Sequence, residues 1–151
     1  MFLGKMKASV AVVVLALAAC GPYPRDIDGT TERIRRDGIV RVAFAELDPG
    51  QERIARSYAE RVAAGAGAQL RQQPNGATET VFARLEEGEL DLVVAEVATD
   101  SPWLAHVAVL EPLARRRAGH RLLTLSPVAR KGENRWVALL EIEARDMLAD
   151  Q

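Results

Sequence analysis

Residues 85–97 read LEEGELDLVVAEV, and this stretch decides the fold. Gly88 is typical of the left-handed residue that ends a helix. The apolar run that follows, from Leu90 to Val97, is typical of a strand that is covered on both faces. The stretch therefore predicts an α/β domain in which a helix leads directly into the central strand.

The flanking segments alternate between strand and helix periodicity in the same way. Residues 39–45 alternate and are β-branched, which predicts a strand. Residues 51–66 carry apolar side chains at four-residue spacing, which predicts a helix. The other predicted elements are a helical turn before Gly38 capped by Thr30 or Thr31, strands at 68–72 and 121–130, helices at 78–88 and 133–148, and a strand or irregular segment at 104–110. This order predicts right-handed βαβ units and a mostly parallel sheet flanked by helices.

The amino terminus has the pattern of an export signal. Lys5 and Lys7 precede an apolar segment, Ala8 to Ala19, that ends in small residues before Cys20. About 12 apolar residues are too few for a spanning helix, which needs about 20. The small-small-Cys ending resembles the bacterial lipobox, which implies cleavage before Cys20 and lipid, such as palmitate, on that residue. The alternative is an ordinary exported protein whose cleavage site contains a cysteine.

We therefore expect three parts: a lipoprotein signal peptide at 1–19, a tether at 20–29 and one domain at 30–151. The expected location is the cell envelope, with the domain attached to a membrane through Cys20 and facing the periplasm or the exterior. Gly21, rather than Asp, follows the cysteine, and in enteric-type sorting this points to the outer membrane.

The composition excludes several classes of protein. A formal net charge of −1 gives no electrostatic footprint for nucleic acid. With 48% hydrophobic residues the chain can bury a core. One cysteine cannot form an internal disulfide, and two histidines without neighbouring ligands predict no metal site. We find no G-x-S-x-G elbow or other catalytic set, and we expect neither enzymatic activity nor a cofactor.

Three motifs occur in the order found in a known family. They are Thr31–Val42 (TERIRRDGIVRV), Leu85–Val93 (LEEGELDLV) and Arg130–Trp136 (RKGENRW). Together they resemble bacterial extracellular solute-binding proteins of the amino-acid-binding family, which serve ABC transporters. The resemblance implies a periplasmic-binding-protein-like α/β fold whose two lobes close over a small solute.

The chain departs from that family in two ways. Family members leave the first lobe where Glu111-Pro112-Leu113 stands and return where Arg121 stands, but only the basic loop 114–120 lies between. Seven residues cannot form a lobe, so we expect the first lobe alone. The family also places an arginine for the ligand carboxylate where this chain has Pro102, and its turn after the first strand is changed here to 46–49.

Ligands of open parallel sheets lie beyond the carboxyl ends of the strands. That rule selects as ligand-binding candidates Glu46, Asp48, Thr99, Asp100, Ser101 and Trp103. A tryptophan with nearby acids could bind a small cationic or amphipathic molecule. The alternative is that residues 100–103 only form a turn.

A basic patch, which comprises Arg115, Arg116, Arg117, His120 and Arg121, could contact anionic headgroups or an acidic partner. The alternative is a solvated connection.

The sequence therefore supports two functional hypotheses. The first is a lipid-anchored solute-binding component linked to an ABC transporter and its permease. The second is a lipoprotein scaffold that binds a protein partner, or itself as a homodimer, through the surface left by the missing lobe. An enzymatic role, known in dehydratase and lytic relatives, is the least favoured.

Overall fold

The computed structural model describes residues 24–150, so the predicted signal peptide and Cys20 lie outside the described residues. The α-helices are α1 (Thr30–Asp37), α2 (Pro49–Gly65), α3 (Thr78–Glu86) and α4 (Asn134–Ala149). The strands are β1 (Ile39–Phe44), β2 (Gln69–Gln72), β3 (Leu92–Ala98), β4 (Val107–Val109), β5 (Ala114–Ala118) and β6 (Arg121–Arg130). A short 3-10 helix, Pro102–Ala105, lies between β3 and β4. No helix within residues 24–150 is long and apolar enough to cross a bilayer.

The six strands form one sheet with the order β2-β1-β3-β6-β4, and β5 also pairs with β6. Strand β1 is parallel to both β2 and β3, as the βαβ pattern predicts. Strand β6 is antiparallel to β3, β4 and β5, because it begins at the edge where β3 ends and runs back beside it. The predicted α/β fold of a single lobe is confirmed, with the refinement that the sheet is mixed rather than mostly parallel.

The segment expected to be a basic loop is mostly strand. Residues 114–118 form β5, and the two-residue turn Gly119-His120 joins it to β6 in a hairpin. Gly119 has φ +61°, the conformation that such tight turns require at their first central residue. The seven residues are therefore enough for a hairpin arm, although they are too few for a lobe.

Both faces of β3 are covered, as its apolar sequence predicts. Leu92 and Val94 face a core shared with α2 and α4, whereas Val93 and Val97 face a second core under α3. The first core is joined across its helices because the Tyr58 hydroxyl of α2 donates a hydrogen bond to the Leu140 carbonyl of α4, at 2.8 Å. Burial on both sides makes β3 the centre of the domain.

A buried carboxylate fixes the amino end of β3. The Asp91 side chain is 1% exposed and pairs with the guanidinium groups of Arg33 and Arg41. It also accepts the backbone N–H of Arg41 at 2.8 Å, and the Arg41 guanidinium donates to the Gly88 carbonyl at 2.8 Å. The indole N–H of Trp136 donates to the Asp91 carbonyl at 2.7 Å. One residue thus joins α1, β1, the α3–β3 turn and α4.

Two further carboxylates hold residues 26–30 against the start of α4. Asp26 accepts the backbone N–H groups of Thr31, Arg135 and Trp136 at 2.8, 2.8 and 3.0 Å, and so caps α1 and α4 together. Glu133, which is fully buried, accepts the backbone N–H groups of Asp28 and Thr30 at 2.7 and 2.8 Å. The predicted cap by Thr30 or Thr31 is wrong, because Gly29 is the N-cap of α1 and the carboxylates of Asp26 and Glu133 accept the free N–H groups of the helix.

Replacement of Asp91 by Asn should destabilise the domain. The amide keeps the size of the side chain but leaves two partly buried guanidinium groups without their anion, so we expect the free energy of unfolding to fall by about 2 kcal/mol. Urea denaturation followed by circular dichroism measures this change. Asp37→Asn, which removes an exposed carboxylate paired with Arg36, is the matched control and should change stability far less, because water screens exposed ion pairs. Equal effects of the two substitutions would contradict this role of Asp91.

Asp26 should make stability depend on acidity. Burial alone would raise the pKa of Asp26, but hydrogen bonds from Thr31, Trp136 and Arg135 outweigh it and hold the pKa below the ordinary value of 3.8. The stability that Asp26 contributes is therefore present above pH 3.8 and is lost as the pH falls through its lowered folded-state pKa. We expect Asp26→Asn to cost about 1 kcal/mol at pH 7 and progressively less below pH 3.8.

Urea denaturation between pH 2.5 and 7 tests this expectation. Asp146→Asn, an exposed position on α4, is the control and should keep the wild-type pH profile. A constant difference between wild type and Asp26→Asn across the whole pH range would refute the proposed linkage.

Candidate functional site

The candidate site lies at the carboxyl edge of β1 and β3. These strands are parallel neighbours, so the segments that follow them emerge side by side. Helix α2 begins just after β1, and its amino terminus lies next to the end of β3, as the contact between Gln51 and Glu96 shows. The fold therefore brings a helix amino terminus and the last residues of the central strand together.

A capping box sets the geometry at the start of α2. The Asp48 carboxylate accepts the backbone N–H groups of Gly50 and Gln51 at 2.8 and 2.9 Å, while the side-chain amide oxygen of Gln51 (Oε1) accepts the Asp48 backbone N–H at 3.1 Å. Because that oxygen is engaged, the Gln51 amide nitrogen points away from the helix end. It donates to a carboxylate oxygen of Glu96 at 2.8 Å.

Glu96 also holds an arginine from the hairpin. The Nε and Nη2 atoms of Arg116 each donate to one oxygen of the Glu96 carboxylate, a two-pronged pairing. The strand register explains the contact: Glu96 lies opposite Leu125 of β6, and Leu125 lies opposite Ala114 of β5, two residues before Arg116. The hydrogen bond to Glu96 raises the pKa of Arg116. Glu96 is 17% exposed and Arg116 is 52% exposed.

A cavity of about 100 Å³ lies beside this pair. Its lining residues are Asp48, Gln51, Glu96, Ala114, Arg115, Arg116 and Leu125. Leu125 and Ala114 supply an apolar wall, and the paired side chains of Glu96 and Arg116 supply one charge of each sign. Such a lining suits a small solute with an alkyl part and charged ends. Within residues 24–150 no group of three or more His, Cys, Asp or Glu side chains could hold a metal ion.

The structure separates the predicted ligand residues into two places. Asp48 lines the cavity, and Glu46 is exposed just after β1. Thr99 and Asp100 are exposed in the turn after β3, where Asp100 lies 3.3 Å from the guanidinium of Arg121. Asp48 is also the N-cap of α2, and its carboxylate already accepts two backbone N–H groups there.

Ser101 and Trp103 belong to a different surface. The Ser101 hydroxyl accepts the Trp103 N–H at 3.4 Å and starts the short 3-10 helix. The ring centroids of Trp103 and Phe82 of α3 lie 5.4 Å apart in a T-shaped pair, and Trp103 packs on the core under that helix. Leu125 of the cavity belongs to the core under α2 and α4. Trp103 therefore lies on the opposite face of the sheet from the cavity. An open groove of about 330 Å³ there is lined by Glu86, Pro102, Trp103 and His106.

Sequence reasoning missed Gln51 and Glu96 as members of the cavity, and it named Arg115 and Arg116 only as part of a basic patch, without placing them at this site. The two missed residues have recognisable signals. Asp48 and Gln51 have the spacing of a capping box, and Glu96 is a charged residue inside an otherwise apolar strand. Arg116 has no such signal, because its contact depends on the hairpin register.

Comparison with known proteins supports the fold and leaves the function open. No family model matches the chain, and no curated protein matches its sequence. The fold is similar to the arginine-bound form of domain 1 from TmArgBP, with 15% identity, a TM-score of 0.65 and coverage of 76% of this chain and 97% of that one. Because that neighbour is itself one domain, the likeness is to a single lobe.

Two further neighbours have the same fold. One is the ancestral amino acid-binding protein AncCDT-1, a precursor of cyclohexadienyl dehydratase, with 11% identity, a TM-score of 0.67 and coverage of 80% of this chain and 94% of that one. The other is an amino acid ABC transporter substrate-binding protein from Streptococcus pneumoniae bound to L-arginine, with 10% identity, a TM-score of 0.63 and coverage of 80% and 92%.

Proposed function

We propose that this chain is a single-lobe solute-binding protein that acts outside the cytoplasm and is anchored to a membrane through lipid on Cys20. The observation that carries the proposal is the cavity at the carboxyl edge, where Glu96 and Gln51 are held in place by the central strand and a capped helix. Solute-binding structures share the fold, and one of them is a single domain in an arginine-bound form. A lobe of this kind can therefore hold a ligand without a second lobe.

The ligand class that fits the site is a small amino acid or amine. The cavity combines an apolar wall with the carboxylate of Glu96 and the guanidinium of Arg116 beside it. An amino acid presents a cationic group, an alkyl part and a carboxylate in a comparable arrangement. Delivery of this solute to an ABC importer is part of the proposal, and binding rather than catalysis is the activity that the lining residues support.

The alternative function is a scaffold that binds a protein or a second copy of the chain. The β5–β6 hairpin stands where a second lobe would join, and Leu122 on it is 39% exposed. Strand β5 pairs only with β6 among the described strands, and this open strand edge, which another chain could extend, is the feature that favours a scaffold.

A thermal-shift screen tests the binding function. We expect the Cys20→Ser chain to be stabilised by at least one member of a panel of amino acids and small amines at millimolar concentration, because a ligand that binds only the folded state raises the melting temperature. Glu96→Gln should reduce the shift, whereas Glu87→Gln, at an exposed position outside the cavity, should not. Absence of any shift, together with a dimer by light scattering, would sink the solute-binding proposal and favour the scaffold.

Metabolic labelling tests the anchor. In a bacterial host, the full chain grown with an alkyne analogue of palmitate should carry the label and fractionate with membranes. The Cys20→Ser chain should lose the label and appear in the soluble envelope fraction. A chain that remains unlabelled while Cys20 is intact would overturn lipidation at this residue.

A further inference from the structure

We propose that the Glu96 carboxylate is a binding site for guanidinium groups and that Arg116 is its internal occupant, which an arginine-type solute must displace. This inference rests on the proposed solute-binding function, and it names both the ligand class and a restraint on the same site. It follows from the contacts around Glu96, since the structure already shows a guanidinium docked there.

Glu96, which accepts the hydrogen bonds of this contact, is held by rigid elements of the fold. Glu96 lies in the central strand, paired with β6, and its side chain is largely buried. The Gln51 amide, which the capping box holds in one orientation, donates to the same carboxylate at 2.8 Å. Both carboxylate oxygens therefore face a fixed direction, toward the position of the Arg116 fork.

Arg116, the arginine that occupies the site, lies on the most exposed strand of the sheet. Strand β5 pairs only with β6 among the described strands, and residues 115–120 are exposed. The Arg116 side chain is 52% exposed, so water can compete for its guanidinium. The hairpin is held by the backbone pairing of β5 with β6, so its turn at Gly119 does not depend on this ion pair. Arg116 can therefore leave Glu96 without unfolding the lobe.

The shape of the contact determines which cations can replace Arg116. A guanidinium presents two parallel N–H donors that match the two oxygens of a carboxylate, whereas the ammonium of lysine is a compact charge that cannot make both contacts. The cavity beside the pair has an apolar wall formed by Leu125 and Ala114, which suits the methylene chain of arginine or agmatine. We therefore expect the site to prefer arginine and agmatine to lysine.

Calorimetric titration of L-arginine into variants of the Cys20→Ser chain tests this inference. Arg116→Ala should bind L-arginine at least about tenfold more tightly than the parent, because the apparent dissociation constant falls when a competing occupant is removed. The affinity for L-lysine should rise less than the affinity for L-arginine when Arg116 is replaced. Addition of Glu96→Gln to Arg116→Ala should abolish the gain.

Arg117→Ala is the matched control. It removes an arginine from the adjacent position of the same edge strand, whose side chain points to the opposite face, and it should leave the affinity unchanged. Circular dichroism establishes that each variant is folded. If Arg116→Ala does not fold, Arg116→Lys keeps the charge but loses the fork, and it should give a smaller gain in affinity.

The outcomes separate this inference from the proposed function. A folded Arg116→Ala chain that binds L-arginine no better than the Arg117→Ala chain would overturn the inference, and Arg116 would then be only a structural partner of Glu96. If such a chain still binds another solute of the panel, the solute-binding function stands. A gain that persists when Glu96 is replaced by Gln would also overturn the inference, because the guanidinium would then bind elsewhere.

Discussion

The fold depends on the placement of one carboxylate, that of Asp91, under the amino ends of two parallel strands. A buried charge is costly unless it is paired and fully hydrogen-bonded. Asp91 meets both conditions with the guanidinium groups of Arg33 and Arg41 and with the Arg41 backbone N–H. Because these partners come from α1 and β1, the neutralisation of one charge also aligns β1 with β3. The alignment at the amino edge in turn sets the relative position of the two carboxyl ends where the cavity lies.

The central part of the fold could be predicted from sequence because local and long-range preferences agree there. Gly88 has φ +77°, and Leu85 and Leu90 pack in the same core on either side of it. Strand β6 has the predicted bounds, Arg121–Arg130. The caps of α1 could not be predicted, because its N–H groups are bound by Asp26 and by Glu133, which is more than 100 residues away along the chain. A threonine before a helix is a local signal for a cap. Here Glu133, which is distant in sequence, accepts a helix N–H group that such a cap would bind.

The candidate site could be predicted only in part, for a related reason. The rule that ligands lie beyond the carboxyl ends of parallel strands selects the correct edge of the sheet, and Asp48 does line the cavity there. The same rule does not tell which face a later residue takes, and Trp103 packs under α3 on the other face. Arg116 reaches Glu96 only because β6 lies between their strands in one particular register. Registers of this kind are fixed by the folded hairpin rather than by any local pattern.

The interactions that hold the fold and the residues that line the cavity lie at opposite edges of the sheet. The buried carboxylates of Asp91 and Glu133, together with the double cap at Asp26, all lie at the amino end of β3 or at the start of α4. The opposite edge carries the exposed hairpin and a cavity whose charged members are partly open to water. The interactions that hold the fold therefore lie away from the residues that line the cavity. The residues that line the cavity can therefore change without a change in the architecture that presents them.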